Sequence, residues 1–161
     1  MTEEFSRPAT LEDLKSLIRA LDEHGVDYLL IGGYALFVHG YHRSTTDIDV
    51  LVPATIDAGR KVRDALMVLP DRAARDIDPA WLEEGEIIKV ADEFVVDIML
   101  NAGGETYDTL QQHAETIDLD GLPIRTINLE GLLRIKQSMR DKDIADRVVI
   151  EYALKVLGRQ Q

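Results

Sequence analysis

The chain has 161 residues, 30 acidic side chains against 18 basic ones, and a formal net charge of -12. That length suits one domain rather than two, the 45% hydrophobic content is that of a folded globular protein, and the absence of cysteine excludes disulfides and thiol chemistry. No apolar run approaches a membrane span and the acidic start MTEEFSRPAT is unlike a signal peptide, so a cytoplasmic location is expected; with this charge, any nucleotide or nucleic acid must meet a local cationic cluster or metal ions.

Thr10 is placed to cap a helix whose apolar positions Leu11, Leu14, Ile18 and Leu21 recur at helical spacing, with Asp13 at the third helical position and Gly25 as its end. Residues 26–31 read as a short buried strand, and Gly32-Gly33 turn the chain into a helix from Tyr34 to His39 that Gly40 closes. After a polar connector, Asp47 to Val52 form the next strand, ended by Pro53, and Thr55 caps a helix over 56–68 with Ile56, Val62, Leu66 and Met67 on its apolar stripe. The stretch from Pro70 to Glu86 is a charged excursion with room for one helical turn, anchored to the core or to a lid by Trp81.

Residues 86–90 and 94–100 read as two strands of an antiparallel hairpin, and Gly103-Gly104 break the second. A small helix near 106–112 precedes a peripheral hairpin, 115–119 with 122–127, turned at Asp120-Gly121. Asn128 caps a helix that buries Leu129, Leu132, Leu133 and Ile135, and a last helix over about 143–157 carries Ile144, Val148, Ile150, Tyr152 and Leu157 as its stripe. The expected architecture is therefore α/β of the α+β kind: a mixed β-sheet over about 26–127 flanked by helices, with a helical C-terminal tail over about 129–157.

Side chains alternate across a strand, so Asp47 and Asp49 project from one face while Ile48, Val50 and Val52 project from the other. Two carboxylates on one short face repel each other and call for a cation. Asp97 repeats the pattern in the run from Phe94 to Leu100, where an aspartate amid apolar residues needs a reason. If the two strands are neighbours, three carboxylates converge as hard oxygen ligands suited to magnesium or manganese. Each part has a plainer explanation: a solvated strand face for Asp47 and Asp49, backbone donors for Asp97, an ordinary turn for Gly32-Gly33, a polar loop for Arg43, Thr45 and Thr46, and surface salt bridges for Lys136 and Arg140. Lys136 and Arg140, four apart on a helix surface, otherwise make a local basic cluster with Lys142 that could meet a triphosphate. His24, His39, His42 and His113 lack the spacing of a zinc site, and His39 is assigned to packing at a helix end.

The string from Ile31 to Ala35, followed by Arg43 to Val52, resembles the nucleotidyltransferase superfamily that shares its palm with DNA polymerase beta, and within it the small bacterial branch of AbiEii-like toxins and uncharacterised relatives. The run Lys136, Arg140, Lys142, Asp143 and Asp146 is similar to a lysine-rich signature of the toxin-like branch. The resemblance implies Mg2+ or Mn2+ held by Asp47, Asp49 and Asp97, a nucleoside triphosphate on the Gly32 and Gly33 backbone, and charge offset by Arg43, Lys136 and Arg140. The reaction it implies is transfer of a nucleoside monophosphate to an acceptor hydroxyl, on a small molecule, a tRNA end or a protein, with release of pyrophosphate. A cognate antitoxin and a homodimer are further implied partners, and no membrane is. Many relatives carry serine where this chain has Gly33, which removes a hydroxyl contact and keeps the amide. Two other functions share the same residues: a non-catalytic binding module, and a metal-dependent phosphoesterase.

Overall fold

In the computed structural model, which describes residues 6–42, 45–138 and 140–160, the helices are α1 (Leu11–Glu23), α2 (Gly32–Val38), α3 (Ile56–Leu66), α4 (Leu129–Ile135) and α5 (Asp141–Gln160). The strands are β1 (Leu29–Ile31), β2 (Ile48–Leu51), β3 (Ile88–Ala91), β4 (Val95–Met99), β5 (Asn101–Ala102), β6 (Glu105–Thr106), β7 (Ala114–Leu119) and β8 (Leu122–Ile127). Six of them form one sheet in the order β3-β4-β2-β1-β8-β7, and β5 pairs with β6 apart from it. The sheet is mixed: β2 lies antiparallel to β1 and parallel to β4, β3 is antiparallel to β4, and β8 is parallel to β1. This is the expected α+β arrangement with its helical tail.

Local chemistry starts each helix. The Thr10 side chain accepts from the Asp13 amide while the Asp13 carboxylate accepts from the Thr10 amide, so two donors at the start of α1 are satisfied reciprocally. Thr55 caps α3 and Asn128 caps α4 through single bonds of the same kind. The inner stripe of α1, Leu14, Leu17, Ile18 and Leu21, is fully buried, and α1 packs on α3. Ile48, Val50, Val96 and Ile98 are also fully buried. Alternation along β2 and β4 therefore leaves the opposite sheet face for polar residues.

The excursion after α3 forms two 3-10 turns, Ala73–Asp76 and Pro79–Trp81. Its anchor is Asp92, fully buried in the turn between β3 and β4, whose carboxylate accepts from the amides of Asp71, Ala73 and Glu93. Gly59 on α3 lets the second turn approach, since a Cβ there would collide with the Pro79 carbonyl. Trp81 is partly buried against the core.

Three expectations need correction. The hairpin around Asp120-Gly121 is not peripheral: Thr126 of β8 stands opposite Leu30 of β1, and its hydroxyl donates to the Leu30 carbonyl at 3.2 Å. A turn signal fixes a hairpin but says nothing of which outside strand it joins. Lys136 and Arg140 do not share a helix, because α4 ends at Ile135 and α5 starts at Asp141. On α5 only Ile150 of the expected apolar stripe faces inward: Ile144, Val148, Tyr152 and Leu157 are exposed, and the other buried positions are Asp143, Asp146 and Ala153. Two aspartates paired with a lysine take inner positions that periodicity assigns to apolar side chains. Smaller differences are at ends: β1 is confined to Leu29–Ile31, and the helical turn before β7 is a 3-10 segment, Thr109–His113.

Candidate active site

Parallel pairing of β2 with β4 sets Asp49 directly opposite Asp97. Neighbouring residues in register share a sheet face, so both carboxylates leave on the polar side. Asp47, just before β2, joins them: all three line a cleft of about 360 Å³ with Thr45, Thr46, Ile87, Met99, Lys136, Arg140 and Lys142. The Thr46 hydroxyl donates to Asp47 at 3.0 Å. Every site residue expected from the sequence and described in the structure reaches this cleft or its floor except Gly33, which is buried in α2. Arg43 lies outside the described residues.

Gly32 supplies the floor. It starts α2 with φ of +74°, and a Cβ there would run into the Asp49 carboxylate. A glycine is required twice over at this position, by backbone conformation and by the acid it touches.

The cation demanded by the clustered acids comes from β3. Lys89 stands opposite Asp97 in the β3–β4 pairing, its ammonium 3.4 Å from Asp97 and 4.0 Å from Asp47. One lysine does not balance three carboxylates. Burial pushes the Asp49 carboxyl up to about 7, the charge and hydrogen bond of Asp97 push the same way, Lys142 pulls it down, and Asp47 adds a smaller push upward.

Lys136 has a different setting from the one expected. It is buried, with its ammonium 3.2 Å from Asp146 and 3.6 Å from Asp143, while still bordering the cleft. Arg140 is largely exposed and reaches Asp143 at 3.3 Å. His39 ends α2 with its Nε2 2.8 Å from the Ile127 carbonyl, the packing role expected of it.

Sequence reading missed Lys89 as a site residue. The hairpin between residues 86 and 100 held the signal for Lys89: in register, the polar residue between Ile88 and Val90 falls beside Asp97. Lys142, expected in the basic cluster, does line the cleft, and there it acts on the Asp49 carboxyl as well.

Among the described residues, no three acidic or imidazole side chains are drawn together as tightly as a formed metal centre requires. The donor set nevertheless fits a hard divalent cation. It is all carboxylate, Asp49 and Asp97 share one face, and burial together with the neighbouring Asp97 penalises the charged form of Asp49 that a cation would stabilise.

A mixed sheet with a glycine at a strand-to-helix turn, two aspartates one residue apart on the next strand and a third on its parallel neighbour defines a protein of the nucleotidyltransferase fold, with the palm of DNA polymerase beta. The chain belongs to the family described as nucleotidyl transferase of unknown function (DUF2204), whose match spans residues 10–156. No curated protein matches it. Among solved structures it is similar to a candidate nucleotidyltransferase from Thermotoga maritima, with 14% identity over 94% of this chain and 93% of that one and a TM-score of 0.55. It is also similar to an antigenic nucleotidyltransferase-like protein from Paracoccidioides brasiliensis, with 18% identity over 89% of this chain and 77% of that one and a TM-score of 0.48. At 14% identity the Thermotoga protein shares the fold.

Proposed function

We propose that the chain is a metal-dependent nucleotidyltransferase that moves a nucleoside monophosphate from a nucleoside triphosphate to an acceptor hydroxyl and releases pyrophosphate. The observation that carries this reading is the register of β2 with β4, which sets Asp49 against Asp97 in a cleft that Asp47 also lines. Asp47, Asp49 and Asp97 would hold Mg2+ or Mn2+, whose chemistry is to screen the triphosphate and make the acceptor hydroxyl more acidic. Asp97 takes the hydroxyl proton as the bond from acceptor oxygen to the α-phosphorus forms and the bond from that phosphorus to the bridging oxygen breaks. Arg140, Lys142 and Lys136, which line the same cleft, would offset the charge of the triphosphate and of the departing pyrophosphate. Thr45 and Thr46 offer hydroxyls at the cleft wall, and Gly32, without a side chain, leaves room for the Asp49 carboxylate behind it.

The resemblance to the AbiEii-like branch supports a tRNA end or a protein side chain as acceptor, and makes a cognate antitoxin a partner to look for. The net charge of -12 disfavours a long nucleic-acid track, so single transfers fit better than processive synthesis.

The test incubates the chain with Mg2+, each triphosphate labelled at the α-phosphorus, and candidate acceptors. The expected result is label on the acceptor, stoichiometric pyrophosphate, and loss of both in Asp97→Asn. Free labelled monophosphate with every acceptor would establish a phosphoesterase instead, and triphosphate binding without turnover would establish a binding module.

A further inference from the structure

Five of the seven large apolar side chains that stand exposed among the described residues lie on α5: Ile144, Val148, Val149, Tyr152 and Leu157. The other two, Val68 and Ile87, stand singly elsewhere, as scattered surface hydrophobes do. Val148 and Tyr152 are each 65% exposed, and a contiguous apolar stripe of this kind marks an interface. We propose that the outward face of α5 is the contact of a two-fold homodimer, in which it packs antiparallel against α5 of a second copy of this chain.

Self-complementarity supplies the first argument. Buried Asp143, Asp146, Ile150 and Ala153 define the inner side of α5. At about 100° per residue the opposite side is a seam of Asp141, Ile144, Ala145, Val148, Tyr152 and Lys155, all exposed. This seam is centred on Val148: Ile144 and Tyr152 stand one turn to either side of it, Asp141 and Lys155 two turns. A two-fold axis through Val148 therefore sets Val148 on its own counterpart, Ile144 on Tyr152 and Asp141 on Lys155, each of the last two contacts made twice. Both copies offer the same patch, so such matching is what a two-fold contact needs.

Charge then decides the occupant and its direction. On a chain of net charge -12 two copies repel, unless the contact itself is matched. Asp141 and Lys155 have no ion-pair partner among the described residues of their own chain and are available to each other across the seam. Parallel helices would set Asp141 on Asp141 and Lys155 on Lys155, whereas antiparallel ones pair the opposite charges and oppose the helix dipoles. Glu151, at the rim, faces Ala145 of the second copy rather than its own counterpart. Val148, Glu151, Tyr152, Leu154 and Lys155 line a hollow beside the seam, and Ile144 of the second copy falls against it. One helix pair is smaller than a standard interface, so the dimer is a reversible one. No residue of the acid cluster takes part, and this inference and the transferase reading stand or fall separately.

Sedimentation velocity of the whole chain, in a concentration series up to about 1 mM, tests it. The expected result is a reversible rise in average mass from one chain toward two. Val148→Glu sets a charge against its own counterpart and should leave a monomer, with circular dichroism unchanged because the position is exposed. Asp141→Lys sets lysine against lysine twice and should weaken the dimer about tenfold, and adding Lys155→Asp to it should restore the affinity. The chain has no cysteine, so Val148→Cys should cross-link two copies on oxidation, whereas Ile144→Cys should do so only when mixed with Tyr152→Cys. A monomer throughout the series would overturn the proposal and leave the face to a different protein. A dimer indifferent to Val148→Glu would place the contact elsewhere. A double charge variant no tighter than Asp141→Lys, or Ile144→Cys alone cross-linking as readily as Val148→Cys, would refute the antiparallel register.

Discussion

Two groups of aspartates, one lining the cleft and one behind its Lys136, are treated in opposite ways. Asp143 and Asp146 on α5 are buried around Lys136, and Asp143 also accepts from Ser138 and Arg140. Burial alone would raise the Asp143 carboxyl, yet Ser138, Lys136 and Arg140 together hold it below the usual range. Asp47 and Asp97 pair with Lys89 of a neighbouring strand, and the Asp49 carboxyl is pushed up to about 7 by burial first and Asp97 next, with Lys142 pulling the other way. The first group is matched and holds α5 to the end of α4; the second is short of positive charge and open to a cation. Deficit of charge, rather than number of carboxylates, separates a candidate metal site from a structural ion pair.

The largest contrast is expected in activity. Asp97→Asn removes an oxygen donor and the proton acceptor together, and transfer is expected to fall by about a thousandfold or more, measured as pyrophosphate release at saturating triphosphate. Circular dichroism should show the fold unchanged, since the variant relieves repulsion in the apo sheet. Residual turnover near that of the unaltered chain would remove Asp97 from the chemistry.

Lys136→Met tests the matched group. It strands two buried carboxylates, and is expected to destabilise the chain by about 3 kcal/mol in urea unfolding. A change below 1 kcal/mol would mean that water or Arg140 covers the loss, and the two groups would no longer differ in kind.

Gly32→Ala acts on the floor of the deficient group. A left-handed backbone costs a non-glycine residue about 1 kcal/mol and the new methyl must displace the Asp49 carboxylate, so a loss of about 2 kcal/mol is expected, with transfer lost as well. Gly40→Ala is the control, since its φ of +93° carries the same backbone cost with nothing within 4 Å of the added carbon. Equal destabilisation by both would show that contact with Asp49 contributes nothing.

How far this contrast was legible in the sequence follows from what each residue depends on. Asp47, Asp49 and Asp97 were readable because strand alternation is local, and the one non-local step, that their strands are neighbours, matched a known family pattern. Lys136 was read as a phosphate contact because a basic residue after a helix looks the same whether it faces solvent or two aspartates one helix further on. The exposed stripe on α5 has the same cause. Periodicity finds the most apolar face of a helix, and here the inner face is built partly from ionised pairs. Pairing of β8 with β1 was beyond reach for another reason: it is set by tertiary contacts such as Thr126 with Leu30, which leave no local signal.

The smallest effect is the most direct reading of the charge deficit. The unfolded Asp49 carboxyl titrates near about 4, and the folded one near about 7. Between these values the folded chain binds more protons than the unfolded one, so metal-free stability is greatest at the acid end of that window and falls as pH rises toward 7, by about 1 kcal/mol per unit at the steepest. Asp49→Asn removes the carboxyl and should flatten this slope in urea titrations between pH 5 and 8, with the variant the more stable chain at pH 8. Added Mg2+ should flatten it in the unaltered chain, by binding the ionised form that repulsion otherwise penalises, and should leave Asp49→Asn little changed. A slope that survives in Asp49→Asn would place the titrating group elsewhere, and a slope indifferent to Mg2+ would deny the acid cluster its cation.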